Sequence, residues 1–597
     1  MHDFNAEIEN VKVELERAET RCKRIGDVKI IVCIVGVLLF IYNREHTTGI
    51  GWCVFALLCI LFIALFVYHE KEFEQKEYLE AKHQILNKYC LRSQGEWTAF
   101  SDTGEEFLSE KSYLERDLDI IGERSLYQYL CVANTAEGKK KLAECLMQQK
   151  VDSKCVEERK EAIKELIEKY DFRLKIETLG ALSRKKCQDA DDEWYYGFIR
   201  YMEENKTVNG RVWNVCSIVM PIILFVILGM VYLKHLHYGL LVLLLLAQLA
   251  IAYYVSYRNR ELIHKLNRFC LGIDNIIDMV QCIMGEQFNA AFLKKLQSEL
   301  NSDDSLISGM KKLSGIKDKF SMQRNVYVHV FLQMLFMYDV HCVRAFENWK
   351  KTYGENLRKI YTVIGEIEAL FSLSSIALNR SVTFSCVSDS KKPVFQAEDM
   401  YHPLIDDKKV VPNTIKVTKG VNIITGSNMS GKSTFMRTIG INLILAYAGA
   451  PVCAKSMHIS IMDLHTCMRV TDDVFLGRSS FYAEVLRIKS IVECSDEKTP
   501  MFIIIDEIFK GTNSVDRITG AKEIIKKLNK PHIILFVSTH DLEICSLIDN
   551  HEVQGNNYHF LETYRDNEII FDYKIKNGKC NSRNAKYILK MAGLLER

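Results

Sequence analysis

Three textures of apolar and polar residues follow one another along the chain. Four runs are apolar almost throughout: Ile30 to Tyr42, Gly49 to Tyr68, Val212 to Leu233 and Leu236 to Tyr257. The last three each reach about the 20 residues that an α-helix needs to cross roughly 30 Å of hydrocarbon; the first is shorter. A helix lining a soluble core keeps a polar face. These runs lack one, so the pattern predicts two transmembrane helical hairpins, 30–68 and 212–257. Lys29, at the edge of the short first run, is placed to snorkel to the interface.

The second texture is charged, with apolar residues every three or four positions. It covers Lys71 to Arg211, which has no proline, and Arg258 to Arg380, as in "YVHVFLQMLFMYDVHCVRAFENW". It predicts all-α, lever-like regions at 69–211 and 258–383, and a helical lead at 1–29. Phe336, Tyr338 and Trp349 read there as core aromatics. From residue 384 the texture changes again. Short β-rich runs, "VNIITG", "MFIIID" and "HIILFVS", alternate with helical segments, which predicts one α/β domain over 384–597 with a mostly parallel sheet and crossover helices.

Charge orients the hairpins. The lead carries Lys12, Arg17, Arg21, Lys23, Arg24 and Lys29, while each hairpin loop holds a single lysine or arginine. The positive-inside rule then puts the N-terminus, 69–211 and everything after Arg258 in the cytoplasm of a multi-pass membrane protein with lipid as its partner. Lysine plus arginine total 78 against 76 acids, so no global field draws the chain to nucleic acid. The 19 cysteines include no C-x-x-C pair, which argues against zinc and against a secreted disulfide framework.

Gly426, Gly431, Lys432 and Ser433 in "ITGSNMSGKST" satisfy G-x-x-x-x-G-K-[ST], after a strand and before a helix-forming run. The glycines let successive N–H groups of Ser427, Asn428, Met429 and Ser430 curl around a phosphate, and the helix presents its positive end to the same anion. Lys432 is placed to bridge the β- and γ-phosphates of ATP. The Ser433 hydroxyl, with Thr434 beside it, is placed to bind Mg²⁺. "FIIIDE" ends a buried strand in Asp506 and Glu507: Asp506 would hold the Mg²⁺ water shell, and Glu507 would polarise the attacking water. A third strand ends near His540, either a γ-phosphate sensor or a capping histidine. In "GRSSFYAE", Gly477, Ser479 and Ser480 precede a helical run that reads either as a plain N-cap with Glu484 in its first turns or as a helix completing another subunit's site.

The block from about 384 resembles the ATPase domain of the MutS mismatch-repair family. "YHPLI" (Tyr401 to Ile405) is similar to its opening motif, "TGSNMSGKSTFMRT" to its nucleotide loop and "DDVFLGRSSFYAEV" to its trans-acting signature. "DEIFKGTNSVDR", "STHDLE" and "FDYKIKNGKCNSRNAKYILKMAGLLE" continue in the family's order. Upstream, "SLYQYLCVANTAEGKKKLAECL" and "IGEIEALFSLSSIA" resemble, more weakly, its helical core and lever. The resemblance implies a P-loop NTPase fold, Mg²⁺-dependent ATP hydrolysis, Asn428 in the nucleotide loop, and a homodimer in which Ser479 and Ser480 reach the γ-phosphate held by the other subunit. It also implies binding of mismatched or branched DNA.

The departures are local and global. Ser427 and Ser430 replace the family's usual proline and glycine, and Phe509 and Lys510 stand where the repair proteins usually carry glycine and arginine. No N-terminal mismatch-reading domain and no phenylalanine-x-glutamate wedge is found; a hydrophobic hairpin occupies that region. From Arg258 to Lys359 there are 16 Lys or Arg against 11 Asp or Glu, an excess that a solvated helix face accounts for. Two functions remain open: a membrane-tethered, ATP-dependent DNA-binding protein, or an ATP-driven switch acting on membrane partners without DNA. A transporter fits less well, because the four apolar runs hold almost no charge to line a polar path.

Overall fold

A computed structural model describes residues 4–45, 49–109, 112–148, 151–187, 192–204, 211–301, 304–324, 326–427, 429–469, 480–509, 513–565 and 568–580. Helices α1 (Phe4–Glu45) and α2 (Gly49–Gln94) run 42 and 46 residues without a break. The boundaries read at 29/30 and 68/69 therefore fall inside single helices, because a change of polarity alters where a helix lies and not whether it is helical. The charged ends pack: Phe4, Val11 and Ala18 of α1 meet Leu79, Ile85, Leu86 and Tyr89 of α2. The apolar stretches have none of their length buried inside the protein.

The charged end of α2 is fastened to the helical core, where α3 (Ala136–Leu146) and α4 (Tyr170–Lys186) lie. Arg173 of α4 is fully buried, bonding Glu177 at 2.7 Å, the Tyr89 hydroxyl at 2.6 Å and Ser374 Oγ at 2.9 Å. Tyr89 donates to Glu177 at 2.7 Å, and Arg92 donates to the carbonyls of Tyr129 and Cys131. A buried ion pair persists only when its remaining hydrogen-bonding capacity is met, and here it is.

The second hairpin is α5 (Arg211–Tyr232) and α6 (Tyr238–Arg258), followed by α7 (Arg260–Gly285), the short α8 (Val326–Phe336) and α9 (Tyr338–Ser374). The apolar windows of α5 and α6 are 17% buried each; that of the Tyr338–Asn379 stretch, equally long and apolar enough, is 83% buried, so it lies in the protein core. At 37 residues α9 spans about 55 Å. Its far end docks on the core: Glu368 accepts N–H bonds from Asn134 and Thr135 at 3.1 Å each, and Gly365 lets the backbone of Glu137 approach where a Cβ would meet it at 2.9 Å. Of the aromatics read as core, Trp349 is buried and Tyr338 partly so, while Phe336, at the end of α8, stays 38% exposed with its ring beside Phe225 of α5.

The C-terminal block contains β1 (Cys386–Ser388), β2 (Phe395–Met400), β3 (Asn413–Val417), β4 (Gly420–Thr425), α10 (Lys432–Tyr447), β5 (Ser456–Ser460), β6 (Asp463–Cys467), α11 (Ser480–Cys494), β7 (Met501–Ile505), α12 (Ser514–Leu528), β8 (Ile533–Thr539), β9 (Gly555–Arg565) and β10 (Glu568–Asn577). Six strands form one sheet in the order β10-β9-β4-β8-β7-β6, parallel except for the antiparallel β9–β10 pair. A second sheet, β1-β5-β2-β3, was not legible as separate. Strands β4, β7 and β8 are buried at every position, as central parallel strands covered on both faces must be.

Candidate active site

Strand order alone brings the three sequence motifs together. Neighbours β4, β8 and β7 are in register, with Thr425 opposite Thr539 and Ile505 opposite Val537. The loop after β4, His540 after β8, and Asp506 and Glu507 after β7 therefore leave the same carboxyl edge side by side, where open α/β sheets hold their ligands.

Gly426, at φ 149°, leaves β4 where a Cβ would meet Ser430 Oγ at 2.8 Å and the Phe560 carbonyl at 3.1 Å; Gly431 enters α10 at φ 104°. Both positions need glycine. Met429 between them also takes a positive φ and is exposed. Lys432 curls back into the loop, buried, donating to the carbonyls of Gly426 at 2.9 Å and Ser427 at 2.8 Å. Burial pushes its ammonium below the usual lysine range, against the opposing pull of Glu507 and Asp506. Among the described residues the buried Ser430 hydroxyl has no hydrogen-bond partner, and Ser427 Oγ bonds Glu562. A buried ammonium donating to two loop carbonyls, a buried hydroxyl beside it and a helix N-terminus together suit an anion such as a nucleotide phosphate. Ser433 is half-buried and Thr434 exposed on the first turn of α10.

Asp506 accepts a short hydrogen bond from Ser538, whose Oγ in turn accepts the Glu507 N–H at 2.9 Å. Glu507 has φ 53°, a left-handed conformation that aims its carboxylate across to His540, with Nε2 at 2.6 Å. The other ring nitrogen of His540 bonds the Gly426 carbonyl at 3.0 Å. The histidine thus links the carboxylate to the phosphate loop, a tighter placement than an edge cap. Arg517 holds Asp541, the residue after His540, with two bonds of 2.7 and 3.0 Å.

Asn428, Gly477, Ser479 and Lys510 lie outside the described residues, and of Ser480 only its place as the first residue of α11 is described. Farther along α11, Glu484 accepts the Phe509 N–H at 2.5 Å, and burial pushes its carboxyl up. The Phe481 and Phe509 rings meet at 5.8 Å. Phe509 keeps φ 58° without being glycine.

Two residues missed by sequence reasoning stand behind this site. Asp117 and Asp119 come from a turn-rich stretch of the core. Asp117, buried, accepts the N–H groups of Met468 at 2.9 Å and Arg469 at 3.0 Å and pairs with Arg487 of α11. Asp119 pairs with Arg437 of α10 and Arg469. One short segment therefore holds the phosphate-loop helix, the chain leaving β6 and the signature helix at once.

The comparisons agree with this geometry. The MutS domain V family matches residues 422–597. The likeness to MutS domain V thus spans the C-terminal block, from β4 onward. "DNA mismatch repair protein MutS" of Aquifex pyrophilus is 32% identical over 242 residues, and the proteins of the same name from Staphylococcus haemolyticus and Persephonella marina are 32% and 31% identical over 252 and 251 residues. These alignments take in 39%, 41% and 41% of this chain but only 28% of each MutS relative. Those relatives are thus matched over little more than a quarter of their own length.

Proposed function

We propose that this chain is a membrane-anchored, MutS-like ATPase that couples Mg²⁺-dependent ATP hydrolysis to movement of its levers. The observation that carries the reading is the convergence of Lys432, Asp506, Glu507 and His540 at one sheet edge. Lys432 and the loop N–H groups would hold the phosphates, and Ser433 and Asp506 would hold Mg²⁺. Bound Mg-ATP would supply the scissile phosphoanhydride. Glu507 takes the proton of the attacking water, and His540 positions that carboxylate.

Anchoring rests on the apolar surface of α1, α2, α5 and α6, where Leu38, Leu57, Leu61, Leu243 and Leu246 face outward. The N-terminus and ATPase block would lie in the cytoplasm. Assembly as a homodimer with composite sites, completed by Gly477, Ser479 and Ser480 of the opposite subunit, and binding of mismatched or branched DNA, rest on likeness to the repair proteins. The second reading, a switch on membrane partners without DNA, rests on the outward apolar surface of α1, α2, α5 and α6.

Turnover in nanodiscs, measured without DNA, with paired duplex and with mismatched duplex across a salt series, separates the two. Stimulation that fades as salt rises supports DNA coupling, because phosphate contacts release counterions. A rate blind to every DNA but changed by lipid composition contradicts it.

A further inference from the structure

Helix α8 is built inside out. Its polar residues His329 and Gln333, four positions apart on one face, point inward, and its outer face carries Val326, Tyr327, Val330 and Phe331. Tyr327 is 88% exposed and Val326 68%. From residue 325 to 338 there is no lysine, arginine, aspartate or glutamate. In water this arrangement forfeits the burial that makes a short amphipathic helix stable. Next to hydrocarbon it is the favourable one.

The inward face is fully committed. Asp339, buried in the first turn of the lever α9, receives Gln333 Nε2 at 2.6 Å, Gln323 Nε2 at 2.8 Å and Ser256 Oγ at 2.5 Å, with His329 Nε2 at 2.8 Å. Gln333 also donates to Ser256 Oγ, at the end of α6, and its carbonyl oxygen accepts the Asp339 N–H. Phe336 meets Phe225 of α5 at 6.0 Å between ring centroids, and His341 of α9 bonds the Ser217 carbonyl at 3.1 Å. The outer face of α8 thus continues the apolar outer surface of α5 and α6. Cationic residues flank it in sequence: Arg258 and Arg260 end the hairpin, Lys319 precedes α8 and Arg344 follows it.

We propose that α8 is a further lipid-facing element, lying at the cytoplasmic boundary of the bilayer with Val326, Tyr327, Val330 and Phe331 among the acyl chains and the flanking cations near anionic headgroups. This rests on the reading of α5 and α6 as membrane-spanning. Its consequence is mechanical: the node at Asp339 joins α6, α8 and α9, so the lever begins in the membrane and ends on the ATPase-bearing core.

The test is photocrosslinking of the full chain in nanodiscs of phosphatidylcholine and phosphatidylglycerol. The photoreactive residue p-benzoylphenylalanine replaces Tyr327 or Phe331 in separate variants, Leu243 of α6 as membrane reference, and Lys154, on an exposed core helix, as aqueous reference. Exposed side chains are chosen so that packing is not disturbed, and retained ATPase activity checks the fold. Lipid adducts at 327 and 331 are expected within about threefold of the yield at 243 and at least about tenfold above that at 154. Adducts at 243 without adducts at 327 and 331 overturn the proposal and leave the hairpin standing. Absence at all of these positions overturns the hairpin as well, and protein adducts at 327 show that a protein surface covers this face instead.

Discussion

His402, in the "YHPLI" motif, is buried among cations. Burial first, then Arg437 and Arg380, lowers its pKa to about 4, and its Nδ1 accepts the Leu404 N–H at 3.2 Å, which requires the neutral ring. In the unfolded chain the same imidazole takes a proton below about 6.5. Its contribution is therefore complete above about pH 6.5 and lost as pH falls toward about 4, to a limit of roughly 3 kcal/mol. The expected outcome is a melting temperature that falls across that window in the wild type and falls less in His402→Asn. Phe509 makes a second prediction at this scale. Its ring packs on Phe481 and over Gly520, while its backbone keeps a positive φ. Phe509→Ala loses the ring and keeps the strain, so destabilisation of about 3 kcal/mol is expected, checked by thermal or denaturant unfolding. That Lys432, Asp506 and Glu507 gather at one sheet edge was legible in the sequence, because each lies at the end of a β-rich run or shortly after it. The strained backbone of Glu507 was not, since nothing in "IIIDEIF" distinguishes a left-handed carboxylate from an ordinary strand end.

Elements lie where the hydrophobic period puts them, and the exceptions have local causes. The stretch around residues 95 to 125 reads as helix-patterned, yet it folds as turns and helices of three to five residues. Its aspartates take the capping and bridging bonds that a long helix would deny them. No pattern could reveal that Asp117 binds Met468 across 351 residues of sequence. The outward apolar face of α8 was missed for a related reason: period 3.6 reports a helix but not which face meets protein. Asp117 is a positioning residue for the signature segment, and the prediction belongs to that element. Asp117→Asn should lower kcat about tenfold with KM for ATP nearly unchanged. The Asp117→Ala/Arg487→Ala double variant should lose less stability than the two single variants combined, by about 1–3 kcal/mol. Equal loss in kcat and rise in KM would instead mark a collapsed nucleotide loop.

At the scale of the whole molecule, two hairpins, a core and the C-terminal α/β block are joined by continuous elements: α2 runs from the apolar hairpin to the Arg173–Glu177 pair, and α9 runs from the Asp339 node to Glu368. Under the proposed function these continuous elements are the route by which a change at the nucleotide site would reach the hairpins. If the dimer reading holds, Ser480→Arg abolishes ATP-dependent dimerisation, seen as loss of the larger species in light scattering when ATP is added. The apolar runs and the order of the phosphate motifs were open to reading from sequence; the second sheet and the clamp on α10 and α11 were not, since they depend on pairings between distant segments. The most direct measurement is ATP binding and turnover of the nanodisc-held protein beside its Glu507→Gln and Lys432→Ala variants. The account predicts steady release of phosphate by the wild type, binding without turnover, at least about 100-fold slower, in Glu507→Gln, and no binding in Lys432→Ala. Normal turnover by Glu507→Gln would contradict the assignment of the base and, with it, the proposed engine of the levers.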